Sequence, residues 1–265
     1  MNNDCCIARF DEIGIKASHT KHEFISMLKS QLKKILPKSR IRVSPYRIII
    51  FSDDAKKAAL IASKVFGISS ASPAIMVEQD IDLIKKASYR FYEKEKSFRI
   101  TCQRSDKGFH LKSDEICRLV GEYIFKRGGK VSLKSFGTNI CIDLFDKKAF
   151  IFSEKIRGFG GLPCGSQGKV ACLMNDESDY LACLMIMNRG CLPVVVGKKS
   201  FCNKLLKNFD YLKIGYFKDL NCGHYSAIVS GNDFKNLLSG FDCPVFYPLA
   251  FVDKKWAKEK FKDVN

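Results

Sequence analysis

The sequence predicts an α/β protein with an α+β N-terminal part: a ferredoxin-like domain, a second α/β domain, and a small doubly wound domain built on a parallel sheet. Three observations predict it. The first 77 residues follow the order strand–helix–strand–strand–helix–strand. The stretch Gly158-Phe-Gly-Gly-Leu-Pro-Cys-Gly-Ser-Gln-Gly168 concentrates five glycines and a proline, which marks an interdomain connection or a loop where backbones approach closely. Beyond it, the apolar runs 170–174 and 192–196 flank a helical pattern, the order of a βαβ unit with strands buried on both faces.

Each element has a local reason. Residues 5–10 alternate and read as a strand. Thr20 and Glu23 have capping-box spacing, and the helix they open places Phe24, Leu28, Leu32 and Ile35 on one stripe. Residues 41–43 and 47–51 are strands joined by a turn at Ser44-Pro45. Asp53 or Asp54 caps a second helix carrying Ala58, Ile61, Ala62 and Val65 and stopping at Gly67; a strand at 75–77 completes the unit. A helix over 80–95 then presents Ile81, Ile84, Ala87 and Phe91, followed by a strand at 98–102 and a helix from a Ser113 cap through Phe125. Strands follow at 130–133, 139–144 and 149–153, the last two joined by an Asp146-Lys147 hairpin turn. In the last domain Ser178 or Asp179 starts a helix with Leu181, Leu184, Met185 and Met187 that ends at Gly190. Residues 211–216 and 227–230 read as strands and 233–238 as a short helix. The Lys-rich tail 254–262 reads as a terminal amphipathic helix anchored by Trp256.

Composition excludes several classes. A hydrophobic content of 46% with 12% aromatics builds packed cores, so wholesale disorder is excluded. The longest clean apolar run, 181–187, falls far short of the roughly 20 residues of a bilayer span. The N-terminus lacks a basic stretch followed by an apolar one, so no secretory signal, no membrane partner and a cytoplasmic location are expected. Twelve cysteines without a CxxC pair read as reduced, mostly buried thiols; Cys164 and Cys222, in polar Gly-rich surroundings, are the two to test for reactivity. His19 and His22 have helical metal-ligand spacing but no third ligand nearby, so no metal is expected.

The formal charge is +17, which points to an anionic partner with nucleic acid foremost. Through Pro163 there are 31 Lys and Arg against 18 Asp and Glu, leaving only +4 for the rest. Candidate RNA-binding residues therefore lie in the first part. Arg99 and Arg104 flank the 98–102 strand, Lys107 and Lys112 border the loop after it, and Lys155 and Arg157 precede the glycine stretch. Phe159 is a candidate stacking ring beside them, and these groups are expected to line one cleft.

Several segments carry a resemblance. Arg9-Phe-Asp-Glu-Ile-Gly-Ile-Lys16 is similar to the R-Y-G-E-I-x-x-K opening of the archaeal tRNA 4-thiouridine synthetase family, tRNA sulfurtransferases also linked to thiamine biosynthesis. Val65-Phe-Gly-Ile68 with Ser72-Pro-Ala74 resembles the family's V-F-G-I-x-x-x-S-P-A segment. Phe98-Arg-Ile-Thr-Cys-Gln-Arg104, Ser113-x-Glu115 and Val120-Gly121 resemble the core of a THUMP domain, an RNA-binding module. Gly160-Gly-Leu-Pro-x-Gly165 resembles the junction to the ATP-pyrophosphatase (PP-loop) domain, and Tyr247-Pro-Leu249 a late P-L segment. The resemblance implies a ferredoxin-like domain over 1–70, a THUMP domain over 71–163 and a PP-loop-like domain over 168–265.

The resemblance fails at the catalytic loop. Where the family has S-G-G-x-D-S, this chain has Met174 followed by Asn175, Asp176, Glu177, Ser178 and Asp179. The glycines whose backbone N–H groups cradle phosphate are gone. Two carboxylates there repel a phosphate by about 1–4 kcal/mol each at an effective dielectric of about 20 or more. A second, T-G-E-S-like segment falls at 229–233 and keeps only Gly231 and an acid, and no appended rhodanese-like domain is expected. The resemblance thus implies a tRNA-binding protein of tRNA thiolation with a degenerate loop, no catalytic residues and no cofactor. The alternatives are an active sulfurtransferase using ATP and magnesium through the altered loop, or a partner subunit that binds no RNA. A homodimer and a sulfur-transfer or modification partner protein stand as further partners.

Overall fold

The computed structural model describes residues 4–45, 47–105, 108–220, 225–233 and 236–264. Lys107 and Cys222 lie outside them, as does part of the helix expected over 233–238. The chain opens with β1 (Asp4–Arg9), α1 (Ser18–Ile35), β2 (Arg40–Ser44), β3 (Arg47–Phe51), α2 (Ala55–Ser63) and β4 (Ser70–Glu78). It continues with α3 (Ile81–Tyr89), β5 (Ser97–Arg104), α4 (Ser113–Phe125), β6 (Lys130–Val131), β7 (Thr138–Phe145), β8 (Lys148–Phe152) and β9 (Ile156–Arg157). The last part holds β10 (Lys169–Met174), α5 (Glu177–Asn188), β11 (Leu192–Gly197), α6 (Lys199–Asn208), β12 (Gly215–Phe217), β13 (Ile228–Val229), β14 (Val245–Phe246) and α7 (Lys254–Lys260).

Several expected boundaries move, each for a local reason. Helix α1 starts at Ser18 with Ala17 at its N-cap, so Thr20 is already inside the first turn and the capping box does not form. Glu23 instead meets His19, one turn back, at 3.7 Å. Gln31 is buried on α1 where Ile35 is only half-buried. Helix α2 ends at Ser63, and i→i+3 bonds from Lys64 and Val65 tighten the chain toward Gly67, whose φ is +100°. Helix α3 stops at Tyr89, and Glu95 has φ +71°, which no α-helix accommodates. Lys112, not Ser113, occupies the N-cap of α4, and Glu115 accepts its backbone N–H at 2.7 Å. Asp146 and Lys147 form the expected hairpin turn, at φ +52° and +55°. The strand expected over 211–216 shortens to β12, and α6 was not anticipated; it buries only Cys202 and Leu205.

The chain divides into two compact units. The first comprises Lys38–Leu60 and Ala71–Ile156 with the stretch ending at Ala8; its sheet has the order β2-β3-β1-β4-β8-β7-β5-β6, with β9 on β4. Helices α3 and α4 cover one face, where Ile84, Ile116, Val120 and Ile124 pack on Phe98, Ile140, Ile142 and Ile151. The other face curls into a trough. Arg47 of β3 and Asp143 of β7 are separated by three intervening strands, about 19 Å on a flat sheet at ~4.8 Å per strand. They nonetheless bond at 3.3 Å, both buried, which requires strong curvature.

The second unit comprises Arg9–Pro37, Ile61–Ser70 and Arg157–Asn265. Its sheet, β12-β11-β10-β13-β14, is parallel throughout, with the chain winding outward from β10 in both directions. The glycine stretch is a site of backbone approach. Gly67 N donates to Gly160 O at 2.8 Å, Gly158 N to Ser69 O at 2.9 Å, and Leu162 N to Asn188 O at 3.0 Å. A Cβ on Gly161, which has φ +74°, would lie 2.0 Å from Asn188 O. Gly161→Ala is expected to lower unfolding free energy by about 3 kcal/mol, read from urea denaturation; an unchanged midpoint would contradict the packing.

Candidate nucleic-acid interface and nucleotide loop

The structure separates the expected RNA-binding residues. Arg99 and Arg104 are five positions apart on β5, so strand periodicity sends them to opposite faces of the sheet. Arg104, on the helix-covered side, is half-buried and donates from Nη2 to Phe109 O at 2.8 Å, which pins the loop after β5. Arg99 lies on the trough side, stacked 4.1 Å from the Phe136 ring and donating from Nε to Asn139 Oδ1 at 3.3 Å. Lys112, Lys155 and Arg157 are exposed. Phe159 is not a stacking platform: it is buried, 5.3 Å from Phe66 and 5.7 Å from Phe261, centroid to centroid. Arg99 and Arg104, on opposite faces of the sheet, therefore do not line one cleft.

The trough brings together arginines that sequence reasoning missed. Strand register pairs Arg42 with Ile49 and Arg40 with Phe51, which places Arg40, Arg42 and Arg47 on the trough face. Arg40 sits over the Phe51 ring at 4.3 Å and Arg47 over Phe145 at 4.7 Å. Arg42 approaches Asp146 at 3.7 Å, while its Nε and Nη2 are sequestered without a hydrogen-bond acceptor among the described residues. With Arg99, four guanidinium groups share this face against Asp143 and Asp146. Ring-backed guanidinium groups with spare donors are suited to phosphate oxygens and to stacking of bases. The available signal was the Arg40-x-Arg42 alternation flanking the expected 41–43 strand.

The loop after β10 is closed by its own carboxylates. Asp176, rather than Ser178 or Asp179, is the N-cap of α5 and accepts from Ser178 N at 2.8 Å and Asp179 N at 2.9 Å. Asp179 is buried; its carboxylate accepts from Asn175 N at 3.0 Å and Gly231 N at 2.7 Å. A Cβ on Gly231 would lie 2.2 Å from the Ser178 carbonyl carbon, so glycine there serves the approach of two backbones. Glu177 pairs with Lys204 at 3.3 Å. Lys198 Nζ donates to Asn175 O at 2.7 Å and Lys254 Nζ to Ser178 Oγ at 3.2 Å. Four backbone N–H groups of this loop and of the turn after β13 are thus already bonded to Asp176 and Asp179.

Burial raises the pKa of the Cys164 and Cys102 thiols. Cys164 is buried, contrary to its Gly-rich surroundings; its thiol donates to Cys191 O at 3.1 Å, and burial pushes its pKa up. Burial, then the neighbouring Cys117, push Cys102 up to about 12. Among the described residues no group of three or more His, Cys, Asp or Glu is placed to hold a metal ion, and no helix is long and apolar enough to cross a membrane.

A family model described as the ThiI ferredoxin-like domain matches residues 5–72, and one described as the THUMP domain matches 78–154. A probable tRNA sulfurtransferase of Thermococcus kodakarensis is 33% identical over 226 residues, covering 78% of this chain and 59% of that protein. One of Methanocaldococcus jannaschii is 32% identical over 210 residues, covering 73% and 55%. The chain thus spans less than two thirds of the length of these curated relatives. Among solved structures, PH1313 from Pyrococcus horikoshii superposes with a TM-score of 0.85 at 28% identity, covering 98% of this chain and 99% of that one. A 4-thiouridine synthetase–RNA complex with bound ATP gives 0.78 at 18% identity, covering 99% and 85%, a likeness of fold.

Asp143→Ala is expected to cost about 3–5 kcal/mol by stranding the buried Arg47 charge, and Asp143→Leu with Arg47→Met to cost much less; equal losses in denaturation would contradict this. The Cys102 thiol, raised from 9.0 to about 12, keeps its proton in the folded state where the unfolded chain would release it. Its contribution to stability is therefore present below about pH 9 and lost as pH rises toward 12. Alkylation of Cys102 at about pH 8 should be far slower in the folded chain than in urea; equal rates, resolved by peptide mapping, would contradict it.

Proposed function

Since this chain belongs to the tRNA sulfurtransferase (4-thiouridine synthetase) family through its ferredoxin-like and THUMP domains, we propose that it is a tRNA-binding protein of tRNA thiolation or a related tRNA modification, and that its C-terminal domain does not use ATP at residues 174–179. The observation that carries the second half is the closure of the loop by Asp176 and Asp179. Opening it for a triphosphate would strand two carboxylates, one of them buried, and bring a polyanion against Glu177. The first half is supported by the THUMP match and by the +13 carried before Cys164.

In this reading RNA phosphates lie along the trough, on Arg40, Arg42 and Arg99, with the exposed Lys155 of the same unit extending the basic surface. Unpaired bases stack on the exposed edges of the ring–guanidinium pairs. Chemistry at the nucleotide comes from a sulfur-transfer or modification partner, and the parallel-sheet domain serves as a platform for that partner or for a second copy of the chain. The competing reading, an active ATP- and magnesium-dependent sulfurtransferase, is favoured by one observation: Lys198, Lys204 and Lys254 all approach the loop. Each of them, however, is engaged by a loop atom.

Filter binding of tRNA across a potassium chloride series tests the proposal. About four phosphate contacts give a slope of log K against log salt near −3, and Arg40→Ala or Arg42→Ala lowers its magnitude by about one. Magnesium-ATP is expected to leave the melting temperature unchanged. Absence of tRNA binding at low salt would overturn the RNA half, and pyrophosphate release on adding tRNA and ATP would overturn the non-catalytic half.

A further inference from the structure

A groove between the C-terminal part of α5 and α7 has no part in this function. It encloses about 460 Å³, within the roughly 300–1,000 Å³ of small-molecule sites. Its walls include Met185, Ile186, Phe246 and Trp256, and its polar end holds Arg189 and Lys260. It is remote from the 174–179 loop: Asp179 lies in the first turn of α5 and Arg189 is its C-cap, ten residues on and about 15 Å along the axis.

The polar end carries an excess of positive charge. Lys260 is half-buried, and its ammonium makes one hydrogen bond, to the neutral Asn188 Oδ1 at 2.6 Å. Two of its three N–H donors remain unused, and no carboxylate lies within ion-pair distance among the described residues. Glu12, the groove's carboxylate, is already held by Arg189 Nη1, at 3.0 and 3.2 Å. Burial draws the Lys260 ammonium below the ordinary lysine value; Glu12 opposes this, and Arg157 and Arg189 add to it. A half-buried ammonium without a counter-ion is costly, and an incoming anion would remove that cost.

The mouth of the groove is aromatic. Trp256, expected from sequence to be a packing anchor, is 49% exposed; Ala257 and Phe261 are the buried anchors of the C-terminal segment. Phe246 is 46% exposed, and the Lys260 ammonium lies 5.4 Å from the Trp256 ring. Half-exposed rings beside two cations that share one carboxylate suit a planar base attached to a phosphate. We propose that this groove binds a nucleoside monophosphate, either a free mononucleotide or the terminal nucleotide of an RNA. The phosphate sits on Lys260 and Arg189, and the base lies against Trp256 and Phe246.

Trp256 is the single tryptophan of the chain, so its emission reports on this groove alone. The full chain is titrated with adenosine 5′-monophosphate, with adenosine, and with a 5′-phosphorylated oligouridylate of about five residues. Saturable quenching is expected with the phosphorylated ligands, weakened at least tenfold for adenosine and for Lys260→Gln. The exposed Arg189→Gln should weaken it similarly, and serves if Lys260→Gln melts early. Tighter binding of the oligonucleotide assigns an RNA end, and tighter binding of the monophosphate a free nucleotide. No saturable quenching up to about 10 mM, equal quenching by adenosine, or quenching indifferent to both substitutions would overturn the proposal. The assay is independent of salt-dependent tRNA retention, so either proposal can fail alone.

Discussion

The glycine stretch at 158–168 lets three segments of main chain touch. Gly158 lies against the carbonyl of Ile68, where a Cβ would come within 2.2 Å, and Gly161 lies against the carbonyl of Asn188. Side chains would hold these backbones apart and leave their N–H and C=O groups unpaired in a buried place. With glycine, Ser69, Ile68, Gly190 and Asn188 all find partners across the gap. The Asn188 side chain joins the same network, donating from Nδ2 to Phe159 O at 3.1 Å and Gly160 O at 2.8 Å. That fixes the amide orientation, so Oδ1 faces Lys260 and sets the polar end of the groove. The ring of Phe159, carried into the core by the same stretch, closes the cluster of Phe66, Phe209 and Phe261.

Opposite uses of charge distinguish the two ends of the chain. In the first unit, cations are placed on rings, as at Arg40 and Arg42, and Arg42 Nε and Nη2 have no hydrogen-bond acceptor among the described residues. At the loop of the second unit, anions are turned inward and consumed. Asp179 joins the end of β10 to the turn after β13, through Asn175 and Gly231. Asp179 is a structural clamp. Because a helix N-terminus favours negative charge, Asp176 supplies from within the chain what a bound phosphate would otherwise supply.

Much of this was legible in the sequence. The order of strands and helices follows from apolar periodicity and from glycine and proline punctuation, and the hairpin at Asp146-Lys147 follows from turn chemistry. The absence of glycine from 174–179 was visible from residue identities alone. Less legible were the surfaces. Arg99 and Arg104 look like neighbours along the chain, but a two-residue period sends them to opposite faces. Phe159 looks like a ring beside basic residues, but it packs inward. Arg40, Arg42 and Arg47 flank strands whose apolar residues draw attention to the covered face, so their own face went unread.

Sequence by itself determined the fold class, the uneven charge and the absence of glycine from residues 174–179, because each depends on residue type and local spacing. Tertiary structure alone decided which arginines share a surface, because register and sheet curvature bring Arg47 and Asp143 together across three strands. It also decided that Asp176 and Asp179 are bonded into the loop and that, among the described residues, the Lys260 ammonium bonds only the neutral Asn188 amide. Those are matters of distance between segments far apart in the chain, and hydrogen-bond accounting at such meeting points can only be done in three dimensions.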